Sequence, residues 1–150
     1  MPRKKVDISD LGINPFTFQL VVEVTDIVDM GKSTLVERNE YCKVFRSGYA
    51  KDMVMLLPPV ACKLFLYIAQ YILPGQDVIK INPEAFMSYA EVKSNKTYYN
   101  AIIDLQKACV LAPVAARRST FWINPSILFC GSRIAKYPDN VVVKSTFNKK

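Results

Sequence analysis

The chain has 150 residues, 51% of them hydrophobic, which is enough for a buried core and argues against global disorder. It contains no histidine, and this excludes Ser-His-Asp catalysis, HExxH metalloprotease motifs and histidine-based metal sites. The formal net charge is +7, and residues 76–150 hold 11 basic and 5 acidic residues. The C-terminal half therefore favours a polyanionic partner, such as nucleic acid or an anionic membrane surface.

The N-terminal third is predicted to form β structure behind a flexible basic arm at residues 1–14. Phe18–Val28 is apolar and rich in β-branched residues, and Leu35–Phe45 alternates between apolar and polar residues. Asp29–Ser33 supplies a turn between them. We therefore predict a β-hairpin extension, or a pair of strands, within residues 15–48, which is also a candidate interface for a homodimer.

Three helices are predicted in the middle of the chain. Val60–Leu73 follows two prolines that suit a helix start, shows apolar residues at spacings of three and four, and is stopped by Pro74-Gly75. A short strand is predicted at Asp77–Ile81 and a short helix at Pro83–Tyr89. The third helix begins after Ser94, which is a favourable N-cap residue.

Two further strands are predicted at 110–114 and 120–124, joined by the sequence AARRS. The order of helix, short strand, helix, turn, helix and two-stranded hairpin is typical of a winged helix-turn-helix domain. We assign this domain to residues 49–137 and a C-terminal strand and tail to 138–150. The predicted fold class is therefore α+β, a winged helix-turn-helix domain with an N-terminal β-hairpin extension.

The third predicted helix has two unlike faces, because an α-helix advances about 100° per residue. Tyr98, Ile102, Leu105 and Cys109 are spaced four, three and four, and are predicted to face the core. The opposite face offers side chains that suit a DNA groove: asparagine can bridge adenine N6 and N7, lysine can bind guanine or phosphate, and isoleucine can meet a thymine methyl group. The predicted DNA-binding residues are Lys93, Ser94, Asn95, Lys96, Thr97, Tyr99, Asn100, Ile103 and Lys107 around this helix, and Arg117 and Arg118 at the hairpin tip.

A less specific interpretation of the same residues remains open. Lysines on a helix face are usually solvated, one exposed isoleucine is ordinary, and Arg-Arg in a turn is a weak signal. It is the whole set, within a helix-turn-helix order and the basic half of the chain, that favours DNA.

The tripeptide Ile-Asn-Pro occurs three times, beginning at residues 13, 81 and 123. Unequal spacing and unlike flanking sequences argue against an internal repeat. We interpret each copy as a turn in which asparagine caps the backbone and proline follows.

The four cysteines, Cys42, Cys62, Cys109 and Cys130, form no CxxC motif. We predict reduced thiols, with Cys62 and Cys109 buried in helices, rather than a disulfide framework or a zinc site. No metal site and no cofactor are predicted.

Four segments share a pattern with a known family: YCKVFRSGY at Tyr41–Tyr49, the helix ACKLFLYIAQYI, SNKTYYNAIIDLQKACVLAP at Ser94–Pro113, and above all FWINPSILFCGSRI at Phe121–Ile134. Together they resemble the RepL family of plasmid replication proteins. The similarity covers residues 41–134. It implies an initiator that binds double-stranded origin DNA and recruits host replication proteins, without being a nuclease or polymerase. The chain departs from the family at Asn100, where members often carry a basic residue, and at Ala108-Cys109, where they often carry a glycine.

The favoured function is therefore sequence-specific binding of double-stranded DNA in plasmid or phage replication initiation. A winged-helix transcription regulator would differ only in its target, a promoter instead of an origin. A winged-helix module that binds proteins and not DNA is a third hypothesis, because fold does not imply function.

An enzyme is the least favoured class, and no catalytic residue is predicted. Gly31–Thr34 (GKST) resembles the end of a phosphate loop, but Asp26 stands where the motif requires glycine. Tyr98 or Tyr99 as a nucleophile would lack an accompanying base. The apolar stretch around Pro58, Pro59 and Lys63 is too interrupted to span a membrane. MPRKKVDISD lacks a signal-peptide core, so a cytoplasmic location is expected.

Overall fold

The structure is a computed structural model that describes residues 11–26, 41–45 and 49–145, and within these residues the chain is a mixed α+β protein. The α-helices are α1 (Tyr49–Met55), α2 (Pro59–Tyr71), α3 (Pro83–Ala90), α4 (Asn95–Lys107) and α5 (Arg133–Lys136). The strands are β1 (Val22–Asp26), β2 (Lys43–Val44), β3 (Val78–Lys80), β4 (Leu111–Pro113), β5 (Thr120–Ile123), β6 (Leu128–Phe129) and β7 (Val141–Ser145). Short 3-10 helices occupy Pro15–Gln19 and Pro138–Asn140.

The three predicted helices are confirmed as α2, α3 and α4, with ends that follow from local chemistry. Proline can occupy the first turn of α2 without losing a hydrogen bond. The Asn82 side chain accepts the Ala85 amide at the start of α3 at 3.2 Å. Helix α3 ends where Glu91 adopts a left-handed conformation with φ 57°.

The main core lies between α2, α3, α4 and one face of a small sheet. Aromatic rings link the three helices: Tyr67 of α2 meets Phe86 of α3 at a centroid distance of 5.4 Å, and Phe86 meets Tyr98 of α4 at 5.9 Å. Edge-on and tilted ring pairs of this kind each contribute about 0.5–1.5 kcal/mol beyond the burial of their area. The packing therefore fixes the orientation of α4 relative to α2 and α3.

The sheet is antiparallel with strand order β3-β5-β4, and Val78 lies opposite Trp122, which lies opposite Ala112. Alternate residues of a strand point to opposite faces. Ile79 and Ile123 accordingly join the main core, whereas Trp122 lies in a second cluster on the outer face. This outer cluster consists of Val78, Val114, Trp122, Leu11, Phe16 and Ala112.

The structure describes only part of the predicted N-terminal hairpin. Residues 27–40 lie outside the described residues, so the pairing of its two strands with each other stays a prediction. Strand β1 pairs in parallel with β7, with Val22 opposite Val141. Strand β2 pairs antiparallel with β6, with Lys43 opposite Phe129. An apolar strand pattern identifies a strand but not its partner, and here both partners come from the C-terminal part of the chain. The predicted turn, Asp29–Ser33, lies outside the described residues.

The predicted flexible arm also ends earlier than residue 14. Asn14 is buried, and its Nδ2 donates to Oδ2 of Asp77 at 2.8 Å and to the Ile123 carbonyl oxygen at 3.0 Å. These bonds hold the N-terminal segment over the outer face of the sheet. Residues 1–10 lie outside the described part of the chain.

The interpretation of Ile-Asn-Pro as an asparagine-capped turn is confirmed at all three sites. The Asn14 side-chain oxygen accepts the Phe16 amide, and the Asn124 side-chain oxygen accepts the Ser126 amide, each at 3.0 Å. Asn82 caps α3 through the Ala85 amide. The shared motif reflects shared turn chemistry.

Across the described residues, no helix combines the length and the apolar character that crossing a bilayer requires.

Candidate nucleic-acid interface

Helix α4 carries most of the predicted site, and its rotation is set by its buried face. Tyr98, Ala101, Ile102 and Leu105 are buried in the main core, with Tyr98 only 1% exposed. The predicted core face is therefore confirmed for Tyr98, Ile102 and Leu105. Because these side chains point inward, the opposite side of the helix has to face outward.

The outward face of α4 exposes nearly all of the predicted residues. Tyr99 is 57% exposed and Ile103 is 45% exposed, which leaves two large apolar surfaces beside charged and amide groups. The remaining exposed members are Lys93, Ser94, Asn95, Lys96, Asn100 and Lys107, and Thr97 is half-buried. The structure thus brings the predicted residues of the α4 region together on one helix and the turn before it.

The N-terminus of α4 is capped as predicted. The Ser94 hydroxyl oxygen accepts the Thr97 amide at 3.4 Å. Lys93 and Lys96 flank this end, where the helix dipole is also positive. Amide groups, dipole and lysines therefore all favour an anionic partner at this end of α4.

The prediction that Cys109 is buried on the core face of this helix is wrong. The helix ends at Lys107, and Cys109 is exposed with a left-handed φ of 59°. Asn124 fixes this turn by donating from Nδ2 to the Cys109 carbonyl oxygen at 2.8 Å. The helical spacing continued in the sequence for two residues beyond the point where the helix ends.

The predicted hairpin is present as β4 and β5, and its tip exposes Arg117 and Arg118. The tip is closed by a hydrogen bond from the Arg117 amide to the Val114 carbonyl oxygen at 3.2 Å. Ala116 and Ser119 adopt positive φ angles of 61° and 59° in this turn. The two arginines lie on the hairpin and not on α4, so they add cations from a second element.

One basic residue near the hairpin was not among the predicted site residues. Lys80 is exposed on β3 and lies opposite Thr120, two residues after Arg118. Ile79 and Ile81 are buried, and alternate residues of a strand point to opposite faces, so Lys80 points outward. The alternation in the sequence DVIKI could have predicted this exposure.

Two cations outside the predicted site make contacts with other parts of the fold. The Arg133 guanidinium lies 3.5 Å from the centroid of the Phe45 ring and donates to the Pro125 carbonyl oxygen at 3.2 Å. Burial lowers the pKa of Arg133. Lys63 donates to the Ala90 carbonyl oxygen at the end of α3 at 3.3 Å. These two side chains stabilise the fold.

The environment of Tyr98 is unfavourable for nucleophilic chemistry. Burial, followed by repulsion from the phenolate forms of Tyr99 and Tyr67, raises the pKa of Tyr98 to about 12. The nucleophilic phenolate form is therefore rare at neutral pH. Within the ranges that the structure describes, no three acidic or cysteine side chains lie together as a metal-binding group.

No family model, no curated protein and no solved structure matches this chain. The interface is therefore interpreted from its own geometry and charge.

Proposed function

We propose that residues 49–137 form a winged-helix domain that binds double-stranded DNA. In this proposal α4 is the recognition helix and the β4–β5 hairpin is the wing. The order α2-β3-α3-α4-β4-β5 and the strand order β3-β5-β4 support it, since helix-turn-helix domains present their last helix to the major groove.

The single observation that carries the proposal is the outward face of α4. Lys96, Asn100 and Lys107 are exposed there, and Tyr99 and Ile103 expose apolar surface beside them. A helix of this diameter fits a major groove about 12 Å wide. Asn100 and Ile103 would contact base edges, whereas the lysines and Tyr99 would contact phosphates and sugars.

The wing would add contacts that do not depend on sequence. Arg117 and Arg118 are exposed at the hairpin tip, where a guanidinium group can neutralise phosphate or enter a narrow minor groove. Lys80 of β3 lies opposite Thr120, next to the tip of the same hairpin. These contacts would raise affinity for all duplexes equally.

We further propose that the target is a plasmid or phage replication origin, with host replication proteins as partners and a homodimer as the binding form. The resemblance of residues 41–134 to the RepL family supports this part. A transcription regulator would use the same domain on a promoter, and selection of the bound sequence from genomic or plasmid DNA distinguishes the two.

A matched pair of double variants tests the α4 face. Lys96→Ala/Lys107→Ala removes two cations from α4, and Lys43→Ala/Lys51→Ala removes two exposed cations from β2 and α1. Titrated into a random-sequence duplex at low salt, the α4 variant should bind at least about 10-fold more weakly than the wild type, and the control less than about 3-fold. Equal affinities for the two variants would contradict the proposal.

A further inference from the structure

Two cysteines that are far apart in the sequence are brought together by the pairing of β2 with β6. In this antiparallel pair, Lys43 lies opposite Phe129 and Val44 lies opposite Leu128. Cys42 and Cys130 lie one residue beyond these two strands, where a continuation of the same register puts them opposite each other. Directly opposed residues of an antiparallel pair project to the same face.

The hydrogen bonding of the pair decides how close these two residues lie. The Phe45 amide donates to the Ile127 carbonyl oxygen at 2.9 Å. Hydrogen-bonded and non-hydrogen-bonded pairs alternate along antiparallel strands. Phe45 and Ile127 are a hydrogen-bonded pair, so Cys42 and Cys130 occupy a non-hydrogen-bonded position.

A non-hydrogen-bonded position is compatible with the dimensions of a disulfide. Its Cα atoms lie about 4.5 Å apart and its side chains are closer than at the alternating positions. A disulfide needs a Cα separation of about 4.4–6.8 Å. A pair that continues this register has a Cα separation within the range that a disulfide needs.

The side-chain environments of the two cysteines agree with this register. The Cys130 thiol is 9% exposed and donates to the Tyr41 carbonyl oxygen, beside Cys42, at 3.4 Å. Cys42 is half-buried and packs against the same core that contains Cys130. The pKa of Cys42 is raised, first by burial and then by repulsion from Cys130.

We propose that Cys42 and Cys130 form a redox modification site that closes into a reversible cross-strand disulfide with a low-molecular-weight disulfide, such as glutathione disulfide, as oxidant. The site depends on the β2–β6 register and is independent of DNA binding. Neither cysteine is in a disulfide in the structure, which is the reduced form of this site.

The reaction proceeds by two thiol–disulfide exchanges. The half-buried Cys42 thiolate attacks one sulfur of glutathione disulfide, which breaks its S–S bond and releases one glutathione. The Cys130 thiolate then attacks the Cys42 sulfur, which breaks the mixed disulfide and releases the second glutathione. The protein loses two protons and two electrons, and the two glutathione thiols carry them away.

The other two cysteines supply an internal control. Cys62 lies on α2 and donates from its thiol to the Leu57 carbonyl oxygen at 3.4 Å. Cys109 is exposed in the turn after α4. Exposed Cys109 should take up glutathione as a mixed disulfide instead of closing a bond with Cys42 or Cys130.

The test uses the full chain in two backgrounds, Cys62→Ala/Cys109→Ser, which keeps the pair, and Cys42→Ala/Cys130→Ala, which removes it. Each is equilibrated with reduced and oxidised glutathione, quenched with acid, and measured by intact mass. We expect the first protein to become lighter by the mass of two hydrogen atoms and the second to show only glutathione adducts. Glutathione adducts without closure in the first protein would overturn the proposal.

The equilibrium gives a quantitative criterion. The effective concentration of the two thiols in the native protein should exceed that in concentrated guanidinium chloride at least about 100-fold, because folding holds them in register. Equal values in the native and denatured protein would contradict the register. If either variant fails to fold, peptide mapping of the oxidised wild-type chain applies the same criterion: a Cys42–Cys130 peptide supports the site, and any other pairing overturns it.

The closed form should also be more stable, since it cross-links distant parts of the chain. We expect oxidation to raise the Tm of the Cys62→Ala/Cys109→Ser protein by about 5–15 °C. The same treatment should leave the Tm of Cys42→Ala/Cys130→Ala unchanged. A Tm that does not rise on verified closure would show that the bond strains β2 and β6, and this would contradict a disulfide that fits the register of the two strands.

Discussion

The hydroxyl group of Tyr137 donates a hydrogen bond of 2.6 Å to Oδ2 of Asp77, and both residues are buried. The same oxygen accepts from Asn14 at 2.8 Å. This network joins the N-terminal segment, the residue before β3 and the chain after α5. Three distant parts of the sequence are therefore tied together by one carboxyl group.

Removing the Tyr137 hydroxyl should destabilise the protein. Tyr137→Phe leaves the 5% exposed Asp77 carboxyl with one donor fewer, at an expected cost of about 1–3 kcal/mol in the free energy of unfolding. Urea denaturation of the variant and the wild type measures this difference. Tyr41→Phe, at an exposed tyrosine, should change the free energy by less than about 0.5 kcal/mol. Equal effects of the two substitutions would contradict the importance of the network.

The helices and the hairpin could be predicted from the sequence because their signals are local. Pro58-Pro59, Asn82 and Ser94 mark helix starts, and the apolar spacing in α2 and α4 identifies the buried faces. The pairing of β1 with β7, by contrast, is between segments at opposite ends of the chain. No local sequence pattern identifies the partner of a strand that lies far away in the sequence. For the same reason, the hydrogen bond between Tyr137 and Asp77 could not be predicted.

The stability of the protein should fall at alkaline pH through Tyr98. The pKa of Tyr98 in the folded protein is about 12, above the ordinary tyrosine value of 10. The contribution of the protonated Tyr98 hydroxyl to the free energy of unfolding is therefore fully present below pH 10. Between pH 10 and 12 the unfolded chain ionises first, and about 2 kcal/mol should be lost. Urea denaturation of the wild type and of Tyr98→Phe at several pH values measures the loss of stability that is due to Tyr98. A Tyr98→Phe protein that loses as much stability as the wild type would contradict the assignment.

Asn100 should contribute to sequence discrimination. Once a preferred site has been selected, Asn100→Ala should bind that site about 5- to 100-fold more weakly, because a bidentate contact to adenine is worth about 1–3 kcal/mol. Binding to random duplex should change little. Lys107→Ala is the matched comparison and should weaken both DNAs alike. Equal losses on both DNAs for Asn100→Ala would show that Asn100 does not contact bases.

The hairpin tip should contribute affinity without specificity. Arg117→Ala/Arg118→Ala should weaken binding to every duplex and reduce the steepness of the salt dependence by up to about 2 in the log–log slope. Binding at several salt concentrations measures both quantities. An unchanged slope and affinity would remove the wing from the proposed interface.

The exposed face of α4 could be predicted from the sequence, but the turn after it and the place of one neighbouring cation could not. The sequence identified which side of α4 is buried, and the exposed Lys96, Asn100 and Ile103 follow directly from that. It failed at Cys109, because the left-handed turn there is fixed by Asn124, which lies beyond the hairpin. It also omitted Lys80, which adjoins the hairpin only through the pairing of β3 with β5.

The most direct test of DNA binding is fluorescence anisotropy of a labelled random-sequence duplex, titrated with the full chain at several salt concentrations. The cations of the proposed interface are Lys80, Lys93, Lys96, Lys107, Arg117 and Arg118. With about 0.9 ions released per neutralised phosphate, the plot of log affinity against log salt should have a slope between about −3 and −5. The absence of binding at low salt would contradict the proposed function and would leave the exposed face of α4 as a solvated or protein-binding surface.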